Sequence, residues 1–334
     1  MTTAYTALRD RLRIWSEGKN GATAVHTRLE GRHLECVAVS PALPDRVFVG
    51  TFEDGLYRST DGGETFEPLE AEFVSDAVMS LTISPHDPDV VYAGTEPSRV
   101  YRSRDGGDTW THLEGLIDLP SEDEWYFPPR PHTHHVRWLE VDPFDADRVY
   151  VGIEAGALVR RDEASETWTE RPDGSRIDNH SLATHADHEG RIYSAAGDGY
   201  AESEDSGETW SHPQNGLEHR YCWSVVPHPD DPDRVLVSSA SGASSAHTAS
   251  RAESYVYRKG GDESWERLDD RGLPMGDGVV RALFDQDPET GDVYAVTNVG
   301  LFRSDDFGDR WEPIDLEWDE ELEAITPRGL AVLP

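Results

Sequence analysis

Lysine is nearly missing from this 334-residue chain: of 30 basic residues only Lys19 and Lys259 are lysines, the rest arginine, against 66 acidic residues. The net charge of -36 repels a phosphate backbone, which excludes nucleic acid as a partner held by bulk charge. Cysteine is equally scarce. Cys36 and Cys222 stand far apart in apolar runs, which predicts two buried thiols rather than a disulfide or a thiolate metal pair. No apolar run approaches the ~18 residues that span a bilayer, and the opening MTTAYTALRD has no secretory apolar core. The expectation is a cytoplasmic monomer without membrane association. So acidic a surface suits molar salt, which screens charge repulsion to a few ångströms. Disorder, the other reading of high charge, is opposed by 10 Trp, 12 Tyr and 9 Phe.

What the chain does have is a repeat. Residues 34–66, LECVAVSPALPDRVFVGTFEDGLYRSTDGGETF, match 78–110, VMSLTISPHDPDVVYAGTEPSRVYRSRDGGDTW, almost residue for residue. Further copies run over Val136–Trp168, Asn179–Trp210, Cys222–Trp265 and Val280–Trp311. Their closing turns begin at 59, 103, 161, 203, 258 and 304, so the unit is about 42 to 46 residues with two insertions, the length of a four-stranded propeller blade. The ends complete a seventh copy. Arg328–Pro334 has the form of a first strand, and 4–8, 11–16 and a run from Ala22 supply the outer strands. Sharing a blade between the termini pairs edges that would otherwise be exposed. The sequence therefore predicts an all-β, seven-bladed propeller forming a single domain over 1–334, with insertions at 114–135 and 240–254.

Four closing turns, Ser59–Phe66, Ser103–Trp110, Ser203–Trp210 and Ser304–Trp311, fit S-x-D-x-G-x-x-W or its Phe variant; those beginning at Arg161 and Arg258 are decayed copies. The turns resemble Asp boxes, or BNR repeats, of the sialidase-like and sortilin-like propeller superfamily, which includes a photosystem II assembly factor. The acidic, lysine-poor composition resembles that of salt-accumulating archaea. The resemblance implies a structural box on the face opposite the ligand site, so Asp61, Asp105, Asp205 and Asp306 are read as turn caps.

A propeller's ligand site is the funnel formed by loops leading into the innermost strands and by turns between second and third strands. Aligning the first strands puts Arg137, Arg281 and Arg328 at one position in three blades, with His180 and Glu35 there in two others. Converging guanidiniums point to a carboxylate, phosphate or sulfate, unless each pairs with a neighbouring blade's carboxylate. His132, His134, His135, His219, Arg220 and Tyr221 crowd the same region, and Glu154 and Asp198 occupy turns facing it. Glu154 and Asp178 are the candidate acid and base. His134 and His180 are candidate ligands for a divalent metal, although the spacing is not a zinc signature.

The HTHHVRW run, the Glu154 turn and Gly197-Asp-Gly-Tyr200 are similar to microbial Asp-box propellers labelled exo-sialidase-like or glycosyl-hydrolase-like. The arginine trio is similar to the carboxylate-binding triad of sialidases, whose R-I/L-P motif and six blades this chain lacks. Two functions follow. One is a binding or assembly module holding a small anionic ligand or a protein partner; the other is a glycoside hydrolase or lyase acting on an anionic sugar, with or without metal.

Overall fold

The computed structural model describes residues 2–18, 23–69, 75–261 and 264–334. Within them the strands form seven antiparallel sheets. The innermost strands are Leu34–Ser40, Val78–Ile83, Val136–Val141, Asn179–Thr184, Tyr221–His228, Leu283–Gln286 and Gly329–Leu333. Each lies against the next, and the last against the first, so seven blades ring an axis. They are numbered here from the blade that opens at Leu34. The seventh takes strands from both ends of the chain. Gly329–Leu333 pairs with Thr2–Leu8, Thr3 opposite Leu333, and Arg11–Glu17 and Thr23–Arg28 follow outward; Ala22, expected to begin the outermost strand, lies outside the described residues. Among those residues no helix is long and apolar enough to cross a membrane. Both cysteines are free thiols, Cys222 buried and Cys36 half-buried.

The acidic turns hold the blades to one another. Ser59 Oγ donates to Asp61 at 2.7 Å, and Asp61 accepts from the Thr65 backbone N–H at 2.9 Å and hydroxyl at 2.6 Å. These bonds, led by the Thr65 hydroxyl, hold the exposed Asp61 carboxyl down at about 2. The same bonds recur at Asp105 and Asp205. The second glycine of the turn has φ of 91° at Gly63 and 93° at Gly107, and it faces the preceding blade. A Cβ there would press on Ile14 and Phe48 respectively, so this position needs glycine both for its backbone and for blade contact.

The two decayed turns replace this device with an ion pair. By strand register Lys259 opposes Val235 as Ser59 opposes Val47 and Ser103 opposes Val91. Lys259, not Arg258, thus occupies the serine position, and the turn is one residue shorter than the sequence alignment suggests. Its Nζ reaches both oxygens of Glu202 in the preceding blade, at 2.8 and 2.5 Å. In the other decayed turn Glu163 pairs with Arg102 of the preceding blade.

The strand ends far from the funnel carry two half-buried carboxyls. Burial pushes Asp285 up to about 7 and Glu140 up to about 7, although Asp285 accepts the Val332 backbone N–H at 2.6 Å. Both folded values lie above the unfolded ones, near 4. The stability they contribute is therefore complete below about pH 4 and is lost as pH rises through about 7. Asp285→Asn, which keeps the acceptor, is expected to raise stability at pH 8 by on the order of 1–2 kcal/mol and to change nothing at pH 4. Urea unfolding at the two pH values checks this.

Candidate functional site

The bulges at the mouths of the inner strands build the site. Register slips at Leu34/Cys36, Val78/Ser80, Val136/Trp138, Asn179/Ser181 and Cys222/Val225. An extra residue at such a point is turned out of the pleat. The residues so placed are Glu35, Met79, Arg137, His180 and Trp223, and Arg281 and Arg328 stand just before the sixth and seventh inner strands. Together they make a seven-membered ring, one residue per blade.

Trp223 is its hub. The indole packs against His180 at 4.2 Å between centroids, and the guanidiniums of Arg281 and Arg137 lie 4.6 and 4.9 Å from its ring. His247, from the 240–254 insertion, meets it edge-on at 4.3 Å. Above this floor opens a cavity of about 750 Å³, walled by residues of both insertions, Phe127–Arg130, Ala243 and His247–Ala249 among them. A cavity of that volume accepts a small molecule. Its described lining carries Arg9, Arg130, Arg137 and Arg328 with His33, His135 and His247, against Glu35, Glu154 and Asp178. Cations thus outnumber anions here, the reverse of the whole chain. At the opposite end of the axis a second cavity, also about 750 Å³, is lined among the described residues by six carboxylates, Glu140 and Asp285 among them, and by no arginine or lysine.

The guanidiniums are incompletely partnered. Arg281, fully buried, gives Nη2 to the Pro327 carbonyl at 2.6 Å, while its Nε and Nη1, with Arg137 Nε and Arg328 Nε, have no hydrogen-bond partner. Arg137 Nε stands 3.8 Å from Glu154 and Arg328 Nη1 stands 3.7 Å from Glu35. Those neighbouring carboxylates are near, yet too far to hydrogen-bond. Burial, then the charges of Arg328 and Arg137, press Arg281 well below its ordinary value; a guanidinium keeps its proton regardless, so a negative charge placed beside it would stabilise it.

Beside the arginines runs a carboxylate–histidine chain. Arg130 grips Glu96 through Nε and Nη2 at 2.7 and 2.5 Å, His135 Nδ1 stands 3.7 Å from Glu96, and His135 Nε2 meets Glu154 Oε2 at 3.0 Å. Burial acts to raise the Glu154 carboxyl. The His135 hydrogen bond and the charges of His135, His180 and Arg137 outweigh it and hold Glu154 well below the usual range. Burial instead wins at Asp178, whose value is raised, with the nearby Glu154 charge adding to it. Asp178 Oδ1 accepts the Ala155 N–H at 2.8 Å and lies 3.7 Å from His180 Nε2. Gly197 permits this placement, because a Cβ there would collide with the Asp178 carboxylate.

Of the residues singled out in the sequence, Glu35, Arg137, Arg328, His135, Glu154, Asp178 and Tyr221 line the cavity, and His180 and Arg281 lie buried in the floor. The others lie elsewhere. His134 turns to Glu122, 3.1 Å away, and edge-on to Trp125; the group that brings metal-ligating atoms together around His180 contains Glu154 and Asp178, not His134. Asp198 accepts the Asp178 backbone N–H at 3.3 Å and so shapes the turn. His219 hydrogen-bonds the Tyr257 hydroxyl. Arg220 and His132 are exposed outside the lining. Met79 and Trp223 were missed, although they stand at the same bulge as Glu35, Arg137 and His180; Glu96 stands two residues past Gly94 as Glu154 stands two past Gly152, so the repeat could have found it, whereas His247 and Arg130 come from insertions with no counterpart register.

No family model and no curated protein matches this sequence. Solved structures do. A GH74 xyloglucanase from Xanthomonas campestris superposes with a TM-score of 0.64 at 18% identity over 86% of this chain and 46% of its own. A YCF48 bound to D1 peptide gives 0.60 at 14% identity, covering 90% and 92%, and YCF48 from Cyanidioschyzon merolae gives 0.58 at 15%, covering 86% and 87%. The chain spans less than half the length of the GH74 enzymes it matches. Likeness at this identity concerns the propeller fold alone.

Proposed function

We propose that this single-domain propeller is a binding module whose funnel holds a small anionic ligand, free or as the carboxylate of a protein partner. The observation that carries this reading is the convergence of Arg137, Arg281 and Arg328 on one axis with buried N–H groups lacking partners, in a chain of net charge -36. Buried donors of that kind are satisfied in nearly every folded protein, and an anion reaching the floor would satisfy them. The YCF48 neighbour bound to a D1 peptide supports partner capture as one form of this. The serine–aspartate turns support an Asp-box assignment, and the composition supports a salt-rich cytoplasm.

Calorimetric titration with phosphate, malonate, glucuronate and neutral glucose tests the reading. Binding of anions and not of glucose is expected; binding of none, or of glucose alone, overturns it. Gly197→Ala, by pushing Asp178 into the cavity, is expected to weaken anion binding at least about tenfold, on the order of 1.4 kcal/mol, with a near-UV spectrum like wild type. Unchanged affinity would remove Asp178 from the site.

One observation favours a second reading, hydrolysis or elimination at an anionic sugar. The site holds Glu154 low and Asp178 high, the divergence an acid/base pair requires. Turnover of an aryl glucuronide, lost in Glu154→Ala without loss of stability, is the result this reading expects.

A further inference from the structure

We infer that Glu154, Asp178 and His180 form a divalent first-row metal site at the floor of the funnel, beside the arginines. This extends the anion-binding reading of the funnel, but it stands on different atoms. Each of the three residues offers a ligand atom, all within 4.8 Å of one another, close enough for side-chain shifts of about 1 Å to bring them to the ~2.0–2.2 Å of metal bonds. Carboxylates near one another are not a site in themselves. The observation that points to an ion is the imidazole: His180 is 1% exposed, and its Nε2 has no hydrogen-bond partner.

The tautomer needed for ligation is set by its other nitrogen. Nδ1 meets the Cys222 carbonyl at 2.6 Å; a carbonyl only accepts, so Nδ1 donates, and Nε2, turned toward Asp178, is the nitrogen whose lone pair a metal would take in place of a proton. A backbone carbonyl behind the far nitrogen is the usual support of a metal-bound histidine. The carboxylates are similarly held. Asp178 accepts the Ala155 N–H, and Glu154 is fixed through Oε2 by His135. The nearby Arg137 also faces that Oε2, so Oε1 is the oxygen available to an ion. One nitrogen and two oxygens without thiolate select Mn²⁺, Fe²⁺, Co²⁺ or Zn²⁺ over soft ions. Three protein ligands leave coordination positions open toward the cavity, where an oxygen of an anion held by Arg137 and Arg328 would fit.

The test uses the full chain stripped with EDTA and titrated with Mn²⁺ in about 2 M KCl, which screens weak surface carboxylate sites. Free Mn²⁺ is read by electron paramagnetic resonance. One tight site per chain is expected. His180→Asn keeps a donor for the Cys222 carbonyl and removes Nε2; Glu154→Gln keeps the side-chain shape at a position that is part-exposed. Each removes a ligand and is expected to weaken that site by about 100-fold or more, beyond the ~10- to 100-fold that loss of an outer-shell partner costs. Absence of a tight site in the wild type, or its survival in both variants, overturns the proposal. Should His180→Asn fail to fold, Glu154→Gln decides alone. Phosphate titrated into the stripped protein separates the two readings: phosphate binding without a manganese site leaves the anion funnel standing and ends the metal, and a manganese site without phosphate binding does the reverse.

Discussion

Replacing Arg137 and Arg328 together by glutamine is expected to weaken binding of the best anion by about 100-fold or more, with little change in melting temperature. Charge-assisted hydrogen bonds contribute about 1.5–3 kcal/mol each, and two are removed. These two guanidiniums line the cavity, whereas Arg281 is fully buried and holds the Pro327 carbonyl, so its loss would damage the fold as well as the site. Glutamine keeps the first methylenes of the side chain at position 137 and loses the guanidinium that lies over Trp223. Calorimetry on the double variant and on each single one reads the effect. Affinity unchanged within twofold in the double variant would mean that the guanidiniums serve the structure and that the ligand site lies elsewhere.

Lys259→Met is expected to cost about 3 kcal/mol of stability, because it leaves the buried Glu202 carboxylate with only Arg191, 4.0 Å away, as a cation. The pair is buried, with side-chain exposures of 1% and 6%, and the Tyr200 hydroxyl donates to the same carboxylate at 2.6 Å. Burial shields it from salt, so the loss should be similar in dilute and in molar KCl. Adding Glu202→Gln should return most of the loss, since the stranded charge is then gone. Reversible urea unfolding of the single and double variants measures both. A single variant losing less than about 1 kcal/mol would place the pair among ordinary surface contacts.

The blade pattern was legible because each repeat carries its own alternation and its own turn, and strand pairing follows from those local signals. The seven sheets among the described residues show the expected architecture. The ring of side chains around the axis was legible only in part. Its members occupy the second position of LECVAVS, VMSLTIS, VRWLEVD, NHSLATH and CWSVVPH, and reading charge alone picked out Glu35, Arg137 and His180 while passing over Met79 and Trp223. The indole turns out to be the floor on which the charged members rest.

Other residues were out of reach for physical reasons. His134 sits in the insertion that walls the funnel, next to His135, and only the backbone path of that insertion sends one ring to Glu122 and the next to Glu154. His247 and Arg130 have no repeat counterpart from which a direction could be inferred. Lys259 hid behind a one-residue shortening of its turn, which shifts the alignment but not the strand register. Repetition discloses what is common to the blades; the site is assembled from what differs.

The most direct test of the anion-binding funnel is an anomalous difference map from crystals of the full chain soaked in selenate. The account expects a selenium peak in the funnel within hydrogen-bond reach of Arg137 and Arg328, absent when both are glutamine. Selenium found only on the outer surface or at the acidic end of the axis, with the funnel empty at a concentration that fills those sites, would contradict it.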